Sequence, residues 1–118
     1  MTLLSLGATL GPVMELTKRK LGLMVSTAPE HPNLDTAVGL GRAALDRGAE
    51  VYLYLIDDGV AGVEDPRVQA LADRGAKLFV CAYGCQKRRQ PLSDKATNCG
   101  LVVLADIVNA TDRFLALN

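Results

Sequence analysis

The chain contains no tryptophan, only two phenylalanines and a single histidine. A core short of large rings has to be filled by Val, Leu, Ile and Ala, the usual filling of helix-on-sheet layers. Thirteen basic and thirteen acidic side chains cancel to a formal net charge of zero. That balance leaves no global field to steer nucleic acid or an anionic membrane surface. Three cysteines are too few, and odd in number, for a disulfide framework. Without an export signal they are expected to be reduced thiols in the cytoplasm, either reactive or simply buried. No apolar run is long enough to span a bilayer: the opening segment MTLLSLGATLGPVMEL is interrupted by Gly11-Pro12. Its basic cluster, Lys18-Arg19-Lys20, follows the apolar stretch, the wrong polarity for a secretory signal. Met14 offers an alternative start, and residues 1–19 read as an extension of unassigned role.

What is present is one domain's worth of chain, 118 residues with 49% apolar content. A short chain buries a smaller fraction of its surface, so this content leaves more apolar area than one monomer easily hides. Self-association follows as an expectation.

From residue 20 the pattern is regular. Residues 21–26 (LGLMVS) form an apolar run suited to a strand buried on both faces. A Pro-containing loop follows over residues 27–33. Leu34, Ala37, Val38, Gly41, Ala44 and Leu45 then recur at helical spacing, and Gly48 stands where a helix-ending glycine belongs. Residues 51–56 (VYLYLI) predict a second strand. Asp57-Asp58-Gly59 turns the chain, and Asp65 caps a helix with Pro66 at its first position. The segments LDRGAEVYLYL and ADRGAKLFVCA rhyme because each is a helix end, a glycine turn and a strand. Strands separated by helices pair in parallel through right-handed crossovers. Residues 83–89 predict a short helix, 95–99 a brief edge strand, 101–110 a helix and 113–117 a last strand. The 101–110 helix is apolar nearly all round, which implies burial on more than one side.

In an open parallel sheet, reactive groups collect beyond the carboxyl ends of the strands. Residues 26–33, 57–60 and 81–85 arrive there, bringing His31, two adjacent carboxylates, Cys81 and Cys85. A thiol that ends a strand and begins a helix faces unsatisfied N–H groups, which favour the thiolate. Cys81 occupies that junction; the alternative is a buried structural cysteine. Lys87, Arg88 and Arg89 add positive potential from the far end of the helix. Cys85 follows by four residues, either a second thiol or a packed helix residue, and Cys99 reads as structural. His31 is a base, a hydrogen-bond partner for a persulfide, or a solvated loop residue. Asp57 and Asp58 most simply make a turn. The QKRRQ stretch is a solvated helix face or a contact for an acidic partner.

Two matches carry less. Gly39-Leu-Gly41-Arg-Ala-Ala44 imitates a dinucleotide fingerprint but lies within a helix, where its glycines cannot form the phosphate turn. Cys81, Cys85, Cys99 and His31 lack the paired spacing of a zinc site.

Taken together, residues 20–118 resemble the DsrE/DsrF-like family. The resemblance rests on MVSTAPEHPN, on the helix ending RAALDRGAEV, on Asp58-Gly59-Val60 after an aromatic strand, and on ADRGAKLFVC delivering Cys81. Lys87-Arg88 resembles the family's basic pair, and ADIVNATDRFLAL its closing helix and strand. The resemblance implies a flavodoxin-like three-layer α/β sandwich, with a mostly parallel five-stranded sheet and helices on both faces. It also implies a trimer or hexamer and a persulfide on Cys81 that passes sulfur between small carrier proteins. No cofactor, metal, membrane or direct nucleic-acid contact is implied. Cys85 and residues 1–19 depart from the family pattern. Competing readings are an oligomeric module binding a small anion or nucleotide through Ser26, Thr27 and the next helix, and a Cys81–Cys85 redox switch.

Overall fold

The computed structural model describes residues 16–118. Five strands, β1 (Lys20–Val25), β2 (Glu50–Leu55), β3 (Lys77–Cys81), β4 (Thr97–Cys99) and β5 (Arg113–Leu117), form one sheet in the order β4-β3-β2-β1-β5. Every neighbouring pair is parallel. The helices are α1 (Pro32–Asp46), α2 (Pro66–Asp73), α3 (Ala82–Lys87) and α4 (Leu101–Ala110), with a 3-10 helix over Asp57–Gly62. The result is the expected flavodoxin-like α/β sandwich, with a sheet that is wholly parallel. Among the described residues no helix is long and apolar enough to cross a membrane.

The winding explains the two layers. From β1 to β4 each crossover steps the same way across the sheet, whereas α4 carries the chain back from the β4 edge to β5, on the far side of β1. With right-handed connections, that reversal places α4 on the face opposite α1 and α2. Side-chain alternation agrees. A Cβ at Gly41 of α1 would meet Leu71 of α2 and Val51 of β2, so Val51, Leu53 and Leu55 face that layer. A Cβ at Gly22 would meet Ile107 of α4 and Phe114 of β5, so Gly22 and its register partner Tyr52 face the other.

The element ends follow the residues that make them. Pro32 and Pro66 open α1 and α2, and the Asp65 carboxylate accepts the Arg67 N–H at 2.9 Å. Gly48 and Gly75 close the same helices at φ +91° and +112°, a region where a Cβ is costly. Arg67 then joins the two helix starts, binding Asp65 at 2.8 Å and Asp35 at 2.7 Å.

Two expectations need correction. The first strand begins at Lys20 and stops at Val25, leaving Ser26 outside it. The Asp57-Asp58-Gly59 turn is the start of a 3-10 helix, in which Gly59 packs so closely that a Cβ would overlap the Val25 carbonyl. In α4 Ile107 alone is buried, while Leu101 and Val102 are 60% and 76% exposed. The sheet meets only one stripe of that helix, so its apolar circumference lies open in the single chain. Of the extension read over residues 1–19, residues 1–15 lie outside the described residues.

Candidate functional site

The alternation of Lys77–Cys81 sends Leu78 and Val80 under α1 and α2, and turns Phe79 and Cys81 to the α4 face. Cys81 is extended at φ −71°, ψ 113°, and is the residue that caps α3. Its Sγ accepts the Gly84 N–H at 3.3 Å, which is the orphan donor of a first helical turn satisfied by sulfur. Gly84 permits the approach: a Cβ there would stand 3.1 Å from Val60 Cγ1 and 3.6 Å from the Cys81 Cβ. Cys81 is only 3% exposed overall. It nonetheless lines a cavity of about 640 Å³ at the carboxyl edge of the sheet, shared with Met24, Ile56, Tyr83, Lys87 and Leu101. The cavity walls are mostly apolar, with the Cys81 thiol, two cations and the Asp57 carboxylate among them.

The remaining sequence candidates divide. Lys87 and Arg88 line the same cavity, as do Ser26 and Asp57. Arg88, however, is held by the acidic pair: its Nε donates to Asp58 at 2.6 Å and its Nη2 to Asp57. Its pKa is raised first by the Asp58 hydrogen bond and further by the charges of both aspartates. Asp57 and Asp58 therefore hold α3 against the 3-10 helix, and the positive potential expected at Cys81 from Arg88 is largely cancelled. Asp58 acts through Arg88 and is not itself a wall of the cavity. His31 is not brought to the cavity: it is exposed and caps α1, its Nδ1 accepting the Asn33 N–H at 3.1 Å. At the anion site sketched at Ser26, Thr27 and the start of α1, two donors are already taken, while the buried Thr27 hydroxyl has no hydrogen-bond partner among the described residues. His31 occupies one N–H, and the Ser26 hydroxyl donates to Asn118 at 2.9 Å. With His31 elsewhere, the four-residue zinc set is not assembled, and the described residues contain no group of three or more His, Cys, Asp or Glu placed for a metal.

Cys85 is packed in the core at 1% exposure. Burial pushes its thiol pKa up, and the neighbouring Cys81 adds to the rise. Two residues to which the sequence reading gave no functional role, Cys99 (read as structural) and Tyr54, stand next to Cys81 without lining the cavity. Cys99 of β4 is the register partner of Cys81, so the two thiols leave adjacent strands on the same face. Tyr54 of β2 is fully buried and donates its hydroxyl to the Gly100 carbonyl at 3.0 Å. Burial, then the nearby Cys99 and Cys81, keep that hydroxyl protonated far above its ordinary range. The signal for Cys99 was the short strand at 95–99, but only the pairing register shows what it stands beside.

No family model matches the chain, and no curated protein sequence does so. Among solved structures, the chain is similar to the ychN protein from E. coli, with a TM-score of 0.68 at 16% sequence identity. The likeness covers 86% of this chain and 100% of that one. At that identity it is the fold that is shared.

Proposed function

We propose that the protein is a DsrE-like sulfur-relay protein that carries a persulfide on Cys81. The observation that carries the reading is the Cys81 sulfur at the cavity wall, accepting the Gly84 N–H at 3.3 Å. The same donor is available to a sulfur anion there, and a partly apolar cavity strengthens the contact by excluding water. In the step, the Cys81 thiolate attacks the terminal sulfur of a donor persulfide. The donor's S–S bond breaks, its thiolate departs, and Cys81–S–SH remains. A small carrier protein then attacks the outer sulfur and takes it away, returning the Cys81 thiolate. Neither metal nor organic cofactor enters the balance, and the free thiol suits a reducing cytoplasm.

The same reading has the chain working as a homo-oligomer, a trimer or hexamer, with a second copy on α4. Exposed Leu101, Val102 and Val108 along that helix support it. The test of the chemistry is intact-mass measurement after incubation with glutathione persulfide. One sulfur is expected on Cys81 at early times; equal uptake by Cys81→Ser would refute the assignment.

A further inference from the structure

The three thiols are not equivalent in place. Cys85 looks into the core, whereas Cys81 and Cys99 are register partners on neighbouring parallel strands. Adjacent strands lie about 4.8 Å apart, within the roughly 4.4–6.8 Å between Cα atoms that a disulfide accepts. Both side chains emerge on the same face of the sheet. Cys81 lines the cavity and Cys99 does not.

We propose that Cys99 is the resolving thiol for Cys81: it displaces a leaving sulfur group from the Cys81 Sγ and closes a Cys81–Cys99 disulfide. Applied to the persulfide, and so resting on the carrier reading above, the step is an internal exchange. The Cys99 sulfur attacks the inner sulfur, the Cys81 Sγ. The bond to the outer sulfur breaks, and that sulfur leaves into the cavity with the Cys99 proton as hydrogen sulfide. Cys99 is oxidised and the outer sulfur reduced by the same amount, so no further oxidant is needed. A dithiol reductant reopens the pair. Sulfur that no carrier collects is thereby discharged as sulfide, and the site is locked until it is reduced.

Two further features fit the role. Cys99 is half-buried and its S–H points to the Val80 carbonyl at 3.8 Å. Burial raises its thiol pKa, and it is Cys81, not Cys99, that meets the cavity where a donor would arrive. The strand that carries it has only three residues and stands at the sheet edge. Tyr54 secures it, since the hydroxyl binds the carbonyl of Gly100, the residue after Cys99.

The test uses two reagents on the full chain. With 5,5′-dithiobis(2-nitrobenzoate), wild type should release a second thionitrobenzoate from the Cys81 adduct and finish as a Cys81–Cys99 disulfide in peptide maps. Cys99→Ser should stop at the adduct, Cys99→Ala should do the same with an unchanged melting temperature, and Cys85→Ser should behave as wild type. A Cys81–Cys85 linkage, or closure that survives loss of Cys99, overturns the proposal, as does failure of Cys81 to react. With inorganic polysulfide, Cys99→Ser should hold one added sulfur, while wild type loses it as sulfide and ends two hydrogens lighter. If both keep the sulfur equally long, the resolving role fails and the carrier reading stands. If the disulfide closes with the first reagent but no variant gains sulfur from polysulfide, the pair stands and the carrier reading fails.

Discussion

Under α1 and α2, one face of the sheet is sealed: Leu23, Val25, Val51, Leu53, Leu55 and Val80 are between 0% and 1% exposed. On the opposite face the single helix α4 reaches the sheet near Gly22, and it leaves Tyr52 and Phe79 partly open, stacked with ring centroids 6.4 Å apart. Lys77 lies 5.0 Å over the Tyr52 ring, a polar cover on that partly open surface. Cys81 and Cys99 both emerge on this second face. The aliphatic face holds the fold together, and the looser face has room for a cavity, for the sulfur proposed to react and for another surface. The same chain thus separates stability from chemistry by the pleat of its strands, one residue in two.

The strongest way to test that separation is to shave each face. Leu53→Ala should lose about 3 kcal/mol in urea unfolding, because a sealed site cannot collapse around the missing atoms. Val102→Ala on the outside of α4 should stay within about 0.5 kcal/mol under conditions where the chain is a monomer. Equal losses would erase the distinction. Gly59→Ala should cost about 2 kcal/mol, since its Cβ meets backbone at Val25 and the 3-10 helix must shift. It should also slow reaction at Cys81, because that helix carries Asp57 into the cavity wall. Tyr54→Phe should lose about 1 kcal/mol through the Gly100 hydrogen bond. Disulfide closure should slow with it if Tyr54 holds the edge strand in place.

Smaller still is the alkaline response. Burial raises the pKa of Cys85, Cys99 and Tyr54 in the folded chain. A raised folded pKa contributes stability that is complete below the unfolded value and fades as pH climbs toward the folded one. For the thiols, the decline should therefore begin near pH about 8.5. Urea midpoints that are flat from pH 7 to well above that value would contradict the burial. Val102→Glu should leave unfolding of the monomer nearly unchanged while dissociating the assembly in light scattering. Wild type that is already a monodisperse monomer would remove the second copy from α4.

Much of the aliphatic face was legible in the sequence because its signals are local. Pro66 after Asp65, and Gly48 and Gly75 before apolar runs, fix element ends without knowledge of neighbours. Cys81 was legible too, since a strand-end thiol followed by a helix is a local arrangement. Three features were not. His31 caps its own helix, and the choice between capping and catalysis depends on which way the loop runs. Arg88 meets Asp57 and Asp58 across some thirty residues of chain, so a basic run reads as free charge until the ion pairs are seen. Cys99 acquires its meaning from register alone, because a slip of one residue would send it to the other face.

That Cys81 is the sulfur-bearing thiol is tested most directly in the Cys99→Ser chain, in which no discharge through Cys99 competes. After polysulfide treatment and desalting, intact mass should show one added sulfur per chain, mapped to Cys81. The Cys81→Ser/Cys99→Ser double variant should remain at its starting mass. An equal gain in the double variant, or no gain in the single one, would contradict the account.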